Sequence, residues 1–256
     1  MALIEVELMS ECLNRKVAFK AIIPFENSER IEPFKTLYLL HCLKGSYSDW
    51  INETSIVRLA KSRKLAVVMP AGENKFYIDN ETNGSKYGEF IGSELVESTR
   101  TLFNLSTKRE DTFISGASMG GYGAIRNGLK YNNTFGRIAA FSSALILEDA
   151  VTSTTDGANS LAKRNEYESV FGDLNKLLGS DKDPKALIKD LKSRNQPIPK
   201  LYLCCGANDF LIHQNREYHK FLLEQKVDHI FEDGEGEHNW DYFSSNLERV
   251  LDWILE

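Results

Sequence analysis

The sequence predicts an α/β domain: a mainly parallel sheet with helices on both faces. Three observations predict it. Residues 36–41, 65–70 and 200–206 are short, nearly continuous apolar runs, as in strands buried on both faces. Segments with helical apolar spacing alternate with them, which is the pattern of a parallel sheet. The chain has 256 residues, a length that suits one large α/β domain or two small ones.

The elements follow in order. Leu3, Ile4, Val6 and Leu8 alternate with Glu5, Glu7 and Met9, and residues 17–23 continue as strand after a polar turn at 14–16. This predicts an antiparallel hairpin at the edge of the sheet. Residues 25–35 are polar, contain Pro33 and read as a loop. A buried strand at 36–41 precedes a helix at about 51–63, a strand at 65–70, a loop at 71–88 and a helix at 89–105. Strand 111–115 runs into a tight turn and a helix bearing Ala124, Ile125 and Leu129. Residues 135–142 form another buried strand. From about 146 to 196 the pattern becomes polar and helical, with too few apolar residues for a core of its own. It reads as a cap or lid inserted into a single domain spanning 1–256. Strand 200–206, helix 213–225, strand 227–231 and helix 240–255 close the chain.

Composition excludes several classes. Hydrophobic residues make up 42% and charged residues 27%, ordinary for a soluble globular protein. A net charge of −6 with no Lys/Arg block argues against a nucleic-acid partner. No apolar stretch is long enough to cross a bilayer, so no membrane partner is expected. The first ten residues lack a basic region and a long apolar run, so a cytoplasmic location is expected. Cys12, Cys42, Cys204 and Cys205 have no zinc spacing, and the adjacent pair sits in an apolar run, which fits buried thiols in a reducing compartment.

The tight turn carries chemistry. Gly116-Ala117-Ser118-Met119-Gly120 fits Gly-x-Ser-x-Gly between a strand and a helix, the context of a nucleophile elbow. A serine at so sharp a turn has strained backbone angles, and a Cβ at Gly116 or Gly120 would force strand and helix apart. Its Oγ stands at the helix N-terminus, beside the free N–H of Met119. Asp209 follows strand 200–206 directly. His238 follows the last strand through a glycine-bearing loop. The chain order Ser118, Asp209, His238 is that of α/β-hydrolases. In this reading His238 is the general base, Asp209 orients its imidazole, and the N–H groups of Met119 and Leu43 bind the oxyanion.

Each residue has a structural alternative. Asp209 can equally cap the helix starting near 212. Asp228 and Asp233 compete as the acid. His213, His219 and His229 read as surface residues, and His41 as a residue that orders its loop. Trp50, Tyr77 and Trp240 are candidates to line the site, with a core position at least as good a reading for Trp240.

Several separate motifs together resemble the esterase D-like family of esterases. They are Leu39-Leu40-His41-x-Leu43-x-Gly45 with Asp49-Trp50, Tyr77-x-Asp79, Glu94-Leu95, Gly116 to Ala124, Gly206-x-x-Asp209 and His238-x-Trp240. The family includes tributyrin esterases, S-formylglutathione hydrolases, feruloyl and acetylxylan esterases and mycolyltransferases. The likeness is greatest to the tributyrin-esterase branch and weakest in 146–196. Cys42 stands where the family usually has glycine, and Ser46 where it often has asparagine. The resemblance implies an α/β-hydrolase fold and a serine carboxylesterase acting on short acyl esters without metal or cofactor. Carbohydrate esterase, S-formylglutathione hydrolase and acyltransferase are its alternatives, and a non-catalytic binding module is the reading from another class. The partner is a small ester or an acylated oligosaccharide, and a homo-oligomer stays open. The small polar cap predicts an open pocket.

Overall fold

Alternation along the strands decides the architecture of this computed structural model, which describes residues 1–24, 32–82, 84–157 and 161–256. In chain order the elements are β1 (Ala2–Ser10), β2 (Arg15–Ile23), β3 (Thr36–Leu40), α1 (Asp49–Glu53), α2 (Ile56–Arg63), β4 (Ala66–Pro70), β5 (Asp79–Asn80), β6 (Ser85–Lys86), α3 (Tyr87–Glu89) and α4 (Leu95–Leu102). There follow β7 (Thr112–Ala117), α5 (Met119–Lys130), β8 (Arg137–Phe141), α6 (Leu147–Thr152), α7 (Arg164–Phe171), α8 (Pro184–Ser193), β9 (Lys200–Gly206), α9 (Ile212–Glu224), β10 (His229–Gly234) and α10 (Trp240–Leu255). The main sheet has eight strands in the order β1-β2-β4-β3-β7-β8-β9-β10. β2 pairs antiparallel with β1 and β4, and every other pairing in that sheet is parallel.

Successive residues of a strand point to opposite faces. Leu37 and Leu39 join one core cluster, with Trp50, Leu59, Phe243 and Leu251. Tyr38 and Leu40 join the other, with Leu95, Ile125, Tyr218 and Leu222. Helices α1, α2 and α10 therefore cover one face, and α4, α5 and α9 the other. No helix among the described residues is long and apolar enough to cross a membrane.

Three predicted elements differ in detail. The helix expected at 51–63 is two helices. Thr54 adopts an extended backbone, and its Oγ1 donates to the Trp50 carbonyl and lies 3.2 Å from the Ile56 N–H. Such side-chain bonds compete with the helical ladder. The helix expected at 89–105 starts at Tyr87, ends at Leu102 and contains a π turn at Phe90–Glu94. The Glu94 carboxylate accepts the Ser10 hydroxyl (2.6 Å) and the Glu11 N–H (2.6 Å), fastening the first hairpin. The predicted loop 71–88 holds the small β5–β6 ladder. The predicted loop 25–35 lies mostly outside the described residues.

The segment between β8 and β9 does not stand apart. Tyr167, Phe171, Leu174, Ile188 and Leu191 are all buried in the main core. Arg126 of α5, fully buried, donates to the Asp181 carboxylate (2.7 Å) and to the Asp181 carbonyl (3.0 Å). The elbow helix is thereby tied to this segment.

Candidate active site

β3, β7, β9 and β10 all point the same way, so the loops after them share one edge. Ser118 directly follows β7 with φ 56° and ψ −117°, a positive φ that strains any residue but glycine. The turn is held by Ser118 N–H to Phe141 O (2.9 Å) and by Tyr122 N–H to Ser118 O (3.0 Å). The glycines are required sterically. A Cβ on Gly116 would sit 2.5 Å from the Gly120 carbonyl carbon, and one on Gly120 would sit 2.4 Å from Leu40 O. Met119 is the first residue of α5, so its N–H has no partner one turn back along the helix.

Asp209 and His238 meet. His238 Nδ1–H donates to Asp209 Oδ2 at 2.8 Å. The other oxygen accepts the Leu211 N–H at 2.8 Å, so Asp209 both holds the imidazole and shapes the entry to α9. Asp209 is 2% exposed. Burial pushes its carboxyl up, but the bonds it accepts, led by the one from His238, outweigh this and hold it below the ordinary carboxylate range. The loops that carry the two residues are stitched together. Ala207 N–H donates to Gly234 O (2.6 Å) and Asn208 N–H to Gly236 O (3.0 Å). A Cβ on Gly206 would fall 2.4 Å from Gly236 O, so only glycine permits this approach. The competing acids stand elsewhere: Asp233 is paired with Arg216 at 2.7 Å, and Asp228 is exposed.

The loop after β3 is locked from beneath. His41 Nδ1–H donates to Cys42 O (2.8 Å), so its Nε2 is free to accept the Gly72 N–H (2.9 Å). The Tyr77 hydroxyl donates to His41 O (3.0 Å) and Trp50 Nε1–H to Leu40 O (2.9 Å). This corrects the expectation that Trp50 and Tyr77 line the site. They are 1% and 0% exposed, and their polar tips are used on the backbone of the loop. Trp240 is partly exposed but packs edge-on against Trp50, ring centroids 5.1 Å apart, and is not among the residues that wall the cavity. Leu43, on that loop, borders the same cavity as Ser118 and Met119. Burial pushes the Cys42 thiol up to about 12, so it is protonated at neutral pH.

His41 makes stability depend on pH. Burial holds its pKa below the ordinary histidine value, although the Cys42 carbonyl opposes this. An unfolded chain takes up the proton near pH 6.5 and the folded one only at lower pH, so the contribution is present above about 6.5 and is lost as pH falls through the folded pKa. The urea midpoint of the wild type is expected to drop between pH 7 and pH 5.5 by more than that of His41→Gln. Equal drops would remove His41 as the cause.

Ser118 opens into a cavity of about 620 Å³. Its walls include Phe76, Ile146, Leu161, Tyr167, Phe171 and Phe210. The segment that is polar in sequence thus turns apolar side chains, Leu161, Tyr167 and Phe171 among them, toward the cavity. Sequence reasoning did not find these residues. Tyr167 and Phe171 were legible as an i, i+4 pair in a charged helix, and Phe210 as the neighbour of Asp209.

Comparison with known proteins bears on this geometry. The family described as Putative esterase matches residues 10–254. An acetyl esterase of Caldicellulosiruptor saccharolyticus is 43% identical over 261 aligned positions, covering 99% of this chain and 98% of that protein. A solved S-formylglutathione hydrolase of Staphylococcus aureus superposes with a TM-score of 0.87 at 30% identity, covering 100% of this chain and 99% of the other. A fluorophosphonate-binding serine hydrolase of the same organism, solved with substrate bound, gives a TM-score of 0.88 at 30% identity and covers 100% and 98%.

Proposed function

Since the chain belongs to the Putative esterase family and is a carboxylic ester hydrolase with the α/β-hydrolase fold, we propose that it hydrolyses short-chain acyl esters, acetyl esters foremost, through an acyl-enzyme on Ser118. The observation that carries this reading is the His238–Asp209 hydrogen bond at the same sheet edge as the strained Ser118. Because Nδ1 of His238 is committed to Asp209, Nε2 is the basic nitrogen. It takes the Ser118 proton as Oγ bonds to the acyl carbon. The N–H groups of Met119 and Leu43 receive the oxyanion, each such donor lowering the barrier by about 3–4 kcal/mol. Collapse breaks the bond to the alcohol oxygen, which receives the proton from His238. Water then repeats the sequence and frees the acid. Each step uses groups of this chain.

The acetyl preference is carried over from the curated relative. A thioester of the S-formylglutathione type is the second reading, favoured by the S-formylglutathione hydrolase neighbour. The four free cysteines fit a reducing compartment such as the cytoplasm. Initial rates on p-nitrophenyl esters from acetate to decanoate, with methyl ferulate, acetylated xylo-oligosaccharide and S-formylglutathione alongside, test the assignment. The optimum is expected between acetate and butyrate. A folded protein that turns over none of these substrates would sink the reading, and faster turnover of S-formylglutathione or xylo-oligosaccharide would move it.

A further inference from the structure

We infer that the cavity selects the alcohol part of the ester, and that it selects an apolar alcohol, aromatic before aliphatic, laid against Phe210. This rests on the reading of His238 as the group that protonates the leaving oxygen. That oxygen has to lie at His238, so whatever it carries begins there. The ring next to His238 on the cavity wall is Phe210, centroids 4.5 Å apart and planes at 49°. Phe210 is held in place because it lies between Asp209, bound to His238, and Leu211, whose N–H is bound to Asp209.

Exposure points the same way. Phe210 is 59% exposed, Leu161 52% and Leu43 43%, and all three border the cavity that contains Ser118. Large apolar side chains gathered at one opening and left wet mark a binding surface, because a ligand that covers them removes apolar area from water. Size points there too. A cavity of about 620 Å³ lies in the range that holds a drug-sized molecule, far more than an acetyl group fills. With a short acyl group, most of that space belongs to the alcohol.

A sugar alcohol fits this wall poorly. A pyranose can lay a C–H face on a ring, but its hydroxyls then need partners, and Leu43, Leu161 and Phe210 have none on their side chains. Lys75 and the Tyr167 hydroxyl also border the cavity, but three other polar members of the wall are engaged. Asn74 Oδ1 accepts the Lys44 N–H, Glu166 Oε2 accepts the Lys163 N–H, and the Ser169 hydroxyl donates to Glu166 O.

The test holds the acyl group constant. kcat/KM is measured by pH-stat on benzyl acetate, ethyl acetate and a mono-acetylated methyl xyloside, for wild type, Phe210→Ala and Phe210→Leu. Wild type is expected to prefer benzyl over ethyl acetate by about tenfold and to rank the xyloside last. Phe210→Ala is expected to lose most of that ratio, and Phe210→Leu to keep part of it. An unchanged benzyl-to-ethyl ratio in Phe210→Ala, or a wild type that prefers the xyloside, would overturn the inference. Fluorophosphonate labelling of wild type separates the two levels. Labelled Ser118 without the leaving-group preference removes this inference alone, and an unlabelled folded protein removes it together with the esterase mechanism beneath it.

Discussion

Ser118→Ala is expected to lower kcat for p-nitrophenyl acetate by at least about 10⁴-fold and to abolish fluorophosphonate labelling. The alanine keeps the backbone at φ 56° but has no oxygen to form the acyl bond. Neither His238 nor the N–H groups of Met119 and Leu43 can supply the missing nucleophile. They can only hold a substrate for slow attack by water, so a small residual rate is expected. The melting temperature should barely move, because the strain that alanine inherits is the strain serine already bears. Retention of more than about 1% of wild-type activity in a preparation free of contaminating esterase would contradict the assignment.

Gly120→Ala is expected to be the most damaging single change for folding. Its new methyl would meet Leu40 O at 2.4 Å and His41 O at 2.8 Å. Both are backbone atoms. Leu40 ends the central strand β3, and its carbonyl also receives the Trp50 indole. No rotamer change can relieve such a contact. The strand, the elbow helix or the loop after β3 has to move, and each movement displaces part of the proposed oxyanion site. A loss of at least about 4 kcal/mol is expected, outside the ordinary range for point substitutions. It should read as a fall of roughly 10 °C in the melting temperature, with activity lost in parallel. Gly234→Ala is the control. A methyl there meets nothing within 4 Å, so its melting temperature should stay within about 2 °C of wild type. A stable, active Gly120→Ala would show that the elbow is looser than its geometry implies.

Much of this architecture can be read from residue pattern, and the parts that cannot share a cause. The central parallel strands were legible because burial on both faces makes them largely apolar, as in β3, β4 and β9, whereas the edge strand β10, expected at 227–231, lies at His229–Gly234 and is not fully buried at any position. The edge hairpin was legible from strict alternation. The proposed triad could be read from the sequence because Ser118, Asp209 and His238 each lie in a turn or loop after a strand, and such loops in a parallel sheet converge. The aromatic residues were misread for a different reason. A Trp or Tyr beside a site motif looks the same in sequence whether its ring faces substrate or its polar tip holds a backbone carbonyl, as in Trp50 and Tyr77. Composition also misled. Averaged over 146–196 the segment is polar, but most of the side chains it turns to the cavity are apolar. The helix break at Thr54 depends on one hydroxyl choosing a carbonyl, a choice that spacing does not record.

The order in which the pieces lie along the chain has a consequence for synthesis. The loop after β3 and the strained serine belong to the first half, while Asp209, His238 and the helix that packs beneath Trp50 come last. About 120 residues separate Ser118 from His238, roughly ten seconds of translation. On the proposed mechanism, a nascent chain during that interval holds a nucleophile with no base to awaken it. β10 and α10 must leave the ribosome and dock before any ester can be cut. On that mechanism a chain truncated before His238 is chemically silent, and turnover reports that a polypeptide has been both completed and closed.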